Sequence, residues 1–104
     1  MQTDTKIPIA QRLKAVSDET RIGILAHLQS GECCVCEITG ALDIRQSLLC
    51  FHLRILKEAG LISDRREGRW SYYALNREAL QDLGKAVAAL ALPSRGRSLR
   101  RSCS

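Results

Sequence analysis

Three of the five cysteines lie within four residues, in the run Glu32-Cys33-Cys34-Val35-Cys36-Glu37. The run follows a turn signal, Ser30-Gly31, and enters an apolar stretch that predicts a helix ending near Leu42. Thiolates bind soft metal ions and are the form that is oxidised, and the positive end of a helix dipole favours the thiolate over the thiol. We therefore expect a sensing or binding site. The alternative is that free cysteines pack in the core as small hydrophobic residues.

The length and composition indicate one small globular domain. The chain has 104 residues, 45% hydrophobic and 26% charged, and no apolar run reaches the ~20 residues that span a bilayer. Because residues 1–8 are polar and lack the apolar core of a signal peptide, we expect a cytoplasmic protein with reduced thiols and no membrane partner. Residues 1–92 form the predicted domain, and residues 93–104 a basic, disordered tail.

The net charge of +5 is unevenly distributed. Residues 44–77 contain seven basic and three acidic side chains, whereas residues 1–43 contain four basic and six acidic ones. The tail adds four arginines and no acidic residue. A localised basic segment is typical of a nucleic-acid surface, although charge alone does not distinguish it from an ordinary solvated face.

Apolar periodicity predicts four helices in the first part of the chain. They cover about residues 7–16, 19–29, a third range that starts within 33–36 and ends near Leu42, and 46–59. The spacing of Ile9, Leu13 and Val16 marks the first helix as amphipathic, and the predicted buried stripe of the second is Ile22, Leu25 and Leu28. The fourth helix has a core face of Leu49, Leu53 and Leu56. Its opposite face carries Ser47, Cys50, Phe51, Arg54 and Lys57, which indicates a contact surface. Two short helices, a tight turn and this longer helix predict a helix-turn-helix.

A change of period after Gly60 predicts a β-hairpin. Residues 61–66 and 69–75 are rich in β-formers and flank Glu67-Gly68, the expected turn. Three arginines, Arg65, Arg66 and Arg69, lie near its tip. An arginine-rich hairpin directly after a helix-turn-helix is typical of a wing that lies along DNA phosphates. The fold is therefore predicted to be mainly α with a β-hairpin, a winged helix-turn-helix.

The last predicted helix, over 77–92, has a long apolar stripe that includes Leu80, Leu83, Val87 and Leu90. Capping one small domain does not require so long a stripe. We therefore predict a homodimer formed through this stripe and Leu13, because small domains often bury surface by oligomerising. The alternative is a helix that only caps its own domain.

Together these features resemble the ArsR/SmtB family of metal-responsive winged helix-turn-helix repressors over about residues 9–92. The resemblance is carried by residues 18–25 (DETRIGIL), 32–37 (ECCVCE), 46–62 (QSLLCFHLRILKEAGLI) and 66–73 (REGRWSYY). It is strongest to the arsenic- and antimony-responsive branch, and it implies a non-enzymatic repressor that binds double-stranded operator DNA and is released by arsenite. Base-facing residues would be Ser47 and Arg54, with Gln46 and Phe51 nearby.

The sequence departs from that branch at several positions. Thr39 stands at the place of the third cysteine, Cys33 is an extra cysteine, Cys50 replaces a usual serine, and Phe51 replaces a residue that is often basic or His. The expected ligands are Cys33, Cys34 and Cys36. Three thiolates without a fourth ligand suit As(III) or Sb(III) as inducer, with no catalytic cofactor, whereas zinc prefers four ligands. A Cd(II)- or Pb(II)-responsive repressor and a regulator with a disulfide switch are the alternatives.

Helical geometry constrains how the three thiols can meet. On an ideal helix, Cys34 and Cys36 are about 200° apart and Cys33 and Cys36 about 60° apart. All three converge only if the start of the helix is non-helical or is unwound by the ligand. Cys50 and Cys103 remain alternatives for the third ligand.

Overall fold

The computed structural model describes residues 7–94 and contains five helices and a three-stranded antiparallel sheet in this range. The elements are α1 (Ile9–Val16), α2 (Glu19–His27), β1 (Cys33–Cys34), α3 (Val35–Leu42), α4 (Gln46–Glu58), β2 (Ile62–Glu67), β3 (Trp70–Leu75) and α5 (Arg77–Ala89), with a 3-10 turn Leu28–Ser30 after α2. The predicted winged helix-turn-helix is confirmed. No helix within the described range is long and apolar enough to cross a membrane. The predicted tail beyond Ser94, with Cys103, lies outside it.

Helix α4 supplies the centre of the hydrophobic core. Its predicted core face is confirmed, because Leu49, Leu53 and Leu56 are all buried. Side chains from α2, the 3-10 turn and α3 complete the cluster around them, including Ile24, Leu28 and Ile38. Because the core face of α4 is buried, the opposite face points to the surface.

The predicted stripe of α2 is wrong at one position. Ile22 is 51% exposed, and Ile24 is buried instead, together with Leu25 and Leu28. At 100° per residue, Ile24 and Ile22 point to opposite sides of the helix, so only one of them can face the core. The i, i+3 spacing alone did not reveal which one.

Two arginines from the first helices hold α4 through hydrogen bonds. Arg12 donates from Nε to the carbonyl oxygen of Ala59, at the end of α4, over 2.8 Å. Arg21 donates to the carbonyl oxygen of Ala15 over 2.6 Å and lies 3.0 Å from Nδ1 of His52. Because a guanidinium can only donate, Nδ1 of the buried His52 accepts, which orients the imidazole inside the fold. These contacts fix the outward face of α4 relative to α1 and α2.

The turn between α3 and α4 is tight. Asp43 adopts a left-handed conformation with φ 52°, which short polar side chains tolerate better than others. The N–H of Ile44 then donates to the carbonyl oxygen of Thr39 over 3.3 Å and closes the end of α3. Only three residues, 43–45, therefore separate α3 from α4.

The sheet joins the cysteine run to the hairpin. Strands β2 and β3 form the predicted hairpin around Gly68, whose φ is 61°. Strand β1 was not predicted, and it pairs with β3 so that Cys33 lies opposite Tyr73 and Cys34 opposite Tyr72. The first two cysteines are thus part of the sheet, and helix α3 begins only after them.

The core and surface positions of α4 predict different costs for the same substitution. Leu53→Ala should lower the free energy of unfolding by about 2–5 kcal/mol, because Leu53 is 1% exposed and its removal leaves a cavity. Leu48→Ala is the matched control, and it should change stability by no more than about 0.5 kcal/mol, since Leu48 is 47% exposed. Urea unfolding measures both; equal costs would contradict the packing of α4.

Candidate thiol site and nucleic-acid interface

The three cysteines of the run occupy three different environments. Cys33 and Cys34 are successive residues of a strand, so their side chains point to opposite faces of the sheet. Cys33 belongs to the hydrophobic core, where its thiol lies 3.6 Å from the carbonyl oxygen of Gly31. Cys34 is the N-cap residue of α3, and Cys36 is exposed in the first turn of that helix. The 60° separation expected between Cys33 and Cys36 is wrong, because Cys33 is extended rather than helical.

The structure brings two of these thiols together. Cys34, the N-cap residue of α3, and Cys36, in its first turn, lie close enough for the Cys34 thiol to raise the pKa of the Cys36 thiol. The N–H of Cys34 donates to Oε1 of Glu37 over 2.9 Å, which fixes the start of α3. Within residues 7–94, no group of three His, Cys, Asp or Glu side chains is arranged to hold a metal ion. Cys50 lies exposed on α4. The geometry therefore offers a dithiol, with Cys33 on the other side of the strand.

The surroundings of Cys33 and Cys36 favour the protonated thiols, opposite to the expectation from the helix dipole. Interaction with the Cys34 thiol first, and then desolvation and the charge of Glu37, raise the pKa of the Cys36 thiol. Burial first, and then the carboxylates of Glu37 and Glu32 and the neighbouring Cys34, raise the pKa of the Cys33 thiol. Desolvation and the neighbouring carboxylates and thiols thus all act against thiolate formation at Cys33 and Cys36.

The outer face of α4 is exposed as the sequence predicts. All five residues expected to face DNA from this helix are exposed, namely Gln46, Ser47, Phe51, Arg54 and Lys57. Phe51 packs its ring edge-to-face with His52, with ring centroids 5.2 Å apart, and leaves about half of its surface open. An exposed aromatic residue beside an arginine on a helix is able to contact both base edges and sugars.

The basic residues of α4 and the hairpin fall into two groups. Lys57 forms an ion pair with Asp64, with Nζ 3.0 Å from Oδ1. Arg65 pairs with Glu32 and Glu67 over 2.8 and 2.6 Å. The remaining arginines of this surface have no acidic partner among the described residues; they are Arg45, Arg54, Arg66 and Arg69. Arg45 is not among the residues predicted to contact DNA, although its position directly before α4 could have indicated it.

The predicted dimer stripe is only partly exposed. Leu90 is 81% exposed, and Leu13 and Val87 are also exposed. Leu83, in contrast, is 7% exposed within a single chain, and Leu80 packs against the core. The stripe of α5 thus turns from the chain's own core to the surface along its length. Ile9, exposed on α1, extends the apolar surface beyond the predicted set.

Comparisons with known proteins agree with this fold. Residues 18–64 match the family described as "Bacterial regulatory protein, arsR family". The "Arsenical resistance operon repressor" of Bacillus subtilis (strain 168) is 43% identical over 74 residues, covering 70% of each chain. The crystal structure of a "possible transcriptional regulator for arsenical resistance" has a TM-score of 0.73 at 30% identity, covering 80% of this chain and 86% of that one. A homodimeric winged helix-turn-helix DNA-binding domain from Mycobacterium bovis has a TM-score of 0.68 at 28% identity, covering 79% and 77%.

The thiol contact makes a prediction about pH. Alkylation of Cys36 should have a midpoint above that of an ordinary thiol, because only the thiolate reacts and its formation is opposed. Cys34→Ala removes the largest cause and should lower the midpoint, so that Cys36 reacts faster at neutral pH. The measurement is the rate of reaction with iodoacetamide against pH, followed at each cysteine by mass spectrometry. Cys50→Ala is the control, and a midpoint unchanged by Cys34→Ala would contradict the contact.

Proposed function

Because the chain belongs to the arsR family of bacterial regulatory proteins, whose members are transcriptional regulators and not enzymes, we propose that it is a homodimeric repressor of double-stranded operator DNA. Binding of As(III) or Sb(III) to Cys33, Cys34 and Cys36 releases it. The observation that carries the proposal is the position of Cys34 and Cys36 at the N-cap and in the first turn of α3, the first helix of the DNA-binding motif.

The raised thiol pKa values of Cys33 and Cys36 are compatible with a trivalent ligand. Each thiol exchanges with one hydroxide of arsenous acid: an As–S bond forms, an As–O bond breaks, and the thiol proton leaves with the hydroxide as water. Three exchanges consume no base, so raised thiol pKa values do not oppose them. A divalent cation must instead displace a proton from each thiol, which the raised pKa values of Cys33 and Cys36 oppose near neutral pH.

Binding of the ligand to the Cys33 thiol is the step that changes the conformation in this mechanism. Its thiol lies on the opposite face of β1 from Cys34, so the third As–S bond requires β1 to leave β3. Strand β1 has two residues, and opening it breaks few backbone hydrogen bonds. The start of α3 moves with it, and the tight turn at Asp43 passes the movement to α4. The ligand and the operator then favour different conformations, which is the condition for release.

The operator contacts follow from the exposed surface. In a homodimer, two copies of α4 enter successive major grooves of a near-palindromic site about one helical turn apart. Arg54, with Gln46, Ser47 and Phe51 around it, faces bases, and Arg45, Arg66 and Arg69 contact phosphates. The apolar residues Leu13, Val87 and Leu90 are 39%, 42% and 81% exposed in one chain, which supports their burial against a second copy.

The sequence leaves two alternatives to As(III) or Sb(III): a divalent metal ion as inducer, or an oxidant that acts through a disulfide. Cd(II) or Pb(II) would use the same soft thiols, and a disulfide between Cys34 and Cys36 would make the regulator sensitive to oxidants. Both require thiolate formation, which the surroundings of the run disfavour. They are therefore outcomes of the test below.

The test is single Cys→Ser substitution, read as release of a fluorescent operator by arsenite under full reduction with a thiol-free reductant. The substitutions at Cys33, Cys34 and Cys36 should each leave the repressor bound, because two thiols hold trivalent arsenic less tightly than three. Cys50→Ser and Cys103→Ser are the matched controls and should be released like the parent.

Other outcomes distinguish the alternatives. Normal release of Cys33→Ser, together with retention of Cys50→Ser or Cys103→Ser, would mean that the ligand bridges distant parts of the chain. Release of the parent by cadmium and not by arsenite would favour a divalent inducer. Release only by an oxidant would favour the disulfide switch.

The second test separates base contacts from phosphate contacts. Arg54→Ala should relax preference at one position of each half-site, with a cost of about 1–3 kcal/mol per bidentate base contact. Arg66→Ala should weaken binding to all sequences alike and reduce the slope of log affinity against log salt by about 1 per protomer. Affinity measured against a panel of operator variants at several salt concentrations checks both. The same effect of both substitutions on specific and non-specific DNA would refute this division of roles.

A further inference from the structure

Arg65 differs from the other arginines of the wing in the number of its partners. Its Nε and Nη2 donate to the two carboxylate oxygens of Glu32 over 2.8 and 2.9 Å, and Nη1 donates to Glu67 over 2.6 Å. Its guanidinium also lies 4.8 Å from the ring centroid of Tyr72. Arg66, the next residue, contacts only the hydroxyl of Ser71 among the described side chains, over 3.3 Å.

These contacts change what Arg65 can do at the DNA surface. Two carboxylates neutralise the guanidinium, and its Nε, Nη1 and Nη2 atoms already have acceptors. Three of the five guanidinium N–H donors are taken, so a DNA phosphate would meet only the remaining two, beside two carboxylates that repel it. The sequence predicts that Arg65 contacts a DNA phosphate. Its partners in the fold favour a different role, in which Arg65 holds other parts of the chain in place.

The position of Glu32 suggests that role. Glu32 directly precedes Cys33, and the sheet register places Arg65, Tyr72 and Cys34 in one row across β2, β3 and β1. The Glu32–Arg65 pair spans that row from the cysteine run to the far strand of the hairpin. Any movement that takes Cys33 and Cys34 out of the sheet also withdraws Glu32 from Arg65.

We propose that Glu32 and Arg65 form a brace that reports the state of the thiols to the wing, with Arg65 a positioning residue and not a phosphate contact. While β1 is paired, the brace holds the wing in its DNA-binding position. When Cys33 and Cys34 leave β3, the brace opens and the wing loses its ion pair to the cysteine run. The response to arsenite rests on the proposed function, whereas the effect of the brace on ligand-free DNA binding does not.

The first arm of the test uses operator DNA without arsenite. Arg65→Met keeps the aliphatic stem and removes the charge. It should lower operator affinity about fivefold per protomer, which is near the upper end for the contribution of a half-exposed ion pair. The slope of log affinity against log salt should not change. Arg66→Met is the matched control and should reduce the slope by about 1 per protomer. Glu32→Gln should behave like Arg65→Met, and the charge-reversed pair Glu32→Arg with Arg65→Glu should recover affinity.

The second arm reads the wing directly. Trp70 is the only tryptophan of the chain and lies opposite Glu67 in the hairpin. Arsenite should change its emission in the parent and in Arg66→Met. Arg65→Met should bind arsenite with the same stoichiometry, measured by loss of titratable thiols, and show at most half of the emission change.

Each outcome decides between the two roles of Arg65. A salt slope lowered by Arg65→Met as much as by Arg66→Met would overturn the brace and make Arg65 a phosphate contact. Unchanged affinity together with a full Trp70 response in Arg65→Met would also overturn it. A parent that binds no arsenite would refute the proposed inducer, and the salt slopes and the charge-reversed pair would still decide the brace.

Discussion

The pairing of β1 with β3 is the constraint on which the remaining structure depends. Its two residues are also two of the three clustered cysteines, so the same atoms serve the sheet and the candidate site. In the sheet, Cys33 faces the core and Cys34 caps α3 beside Cys36. A ligand that needs all three thiols cannot be bound without loss of this pairing. Recognition of the ligand and rearrangement of the DNA-binding unit are therefore one event in the proposed mechanism.

The size of β1 makes such an exchange feasible. Each backbone hydrogen bond contributes only about 0.5–1.5 kcal/mol net, so a two-residue edge strand is a small part of the stability of the fold. The helices that carry the DNA contacts depend on other interactions, including the α4 core face and the hydrogen bonds of Arg12 and Arg21. In the proposed mechanism, opening this sheet edge removes Cys33 from the core cluster and leaves the core face of α4 in place.

Much of the fold was predictable from local pattern, because α4 and the hairpin have strong periodicity and clear turn signals. The face of α2 was not, since Ile22 and Ile24 are both apolar and only tertiary packing decides between them. Strand β1 was missed because two residues carry no periodicity, and its existence depends on β3, some forty residues later. The thiol pKa values were misjudged for a related reason. The helix dipole is visible in the sequence, whereas burial of Cys33 and its approach to carboxylates are tertiary effects.

Charge in the sequence was likewise a poor guide to charge at the surface. Lys57 and Arg65 count toward the basic segment, yet Asp64, Glu32 and Glu67 neutralise them in the fold.

The pairing of Arg65 matters for the size of the response to the ligand. A brace worth about fivefold in affinity is weak in one protomer, but effects at distant sites multiply, and two wings on one operator would give about 25-fold. A weak, half-exposed ion pair is then sufficient for regulation in a dimer, and it costs little when it opens.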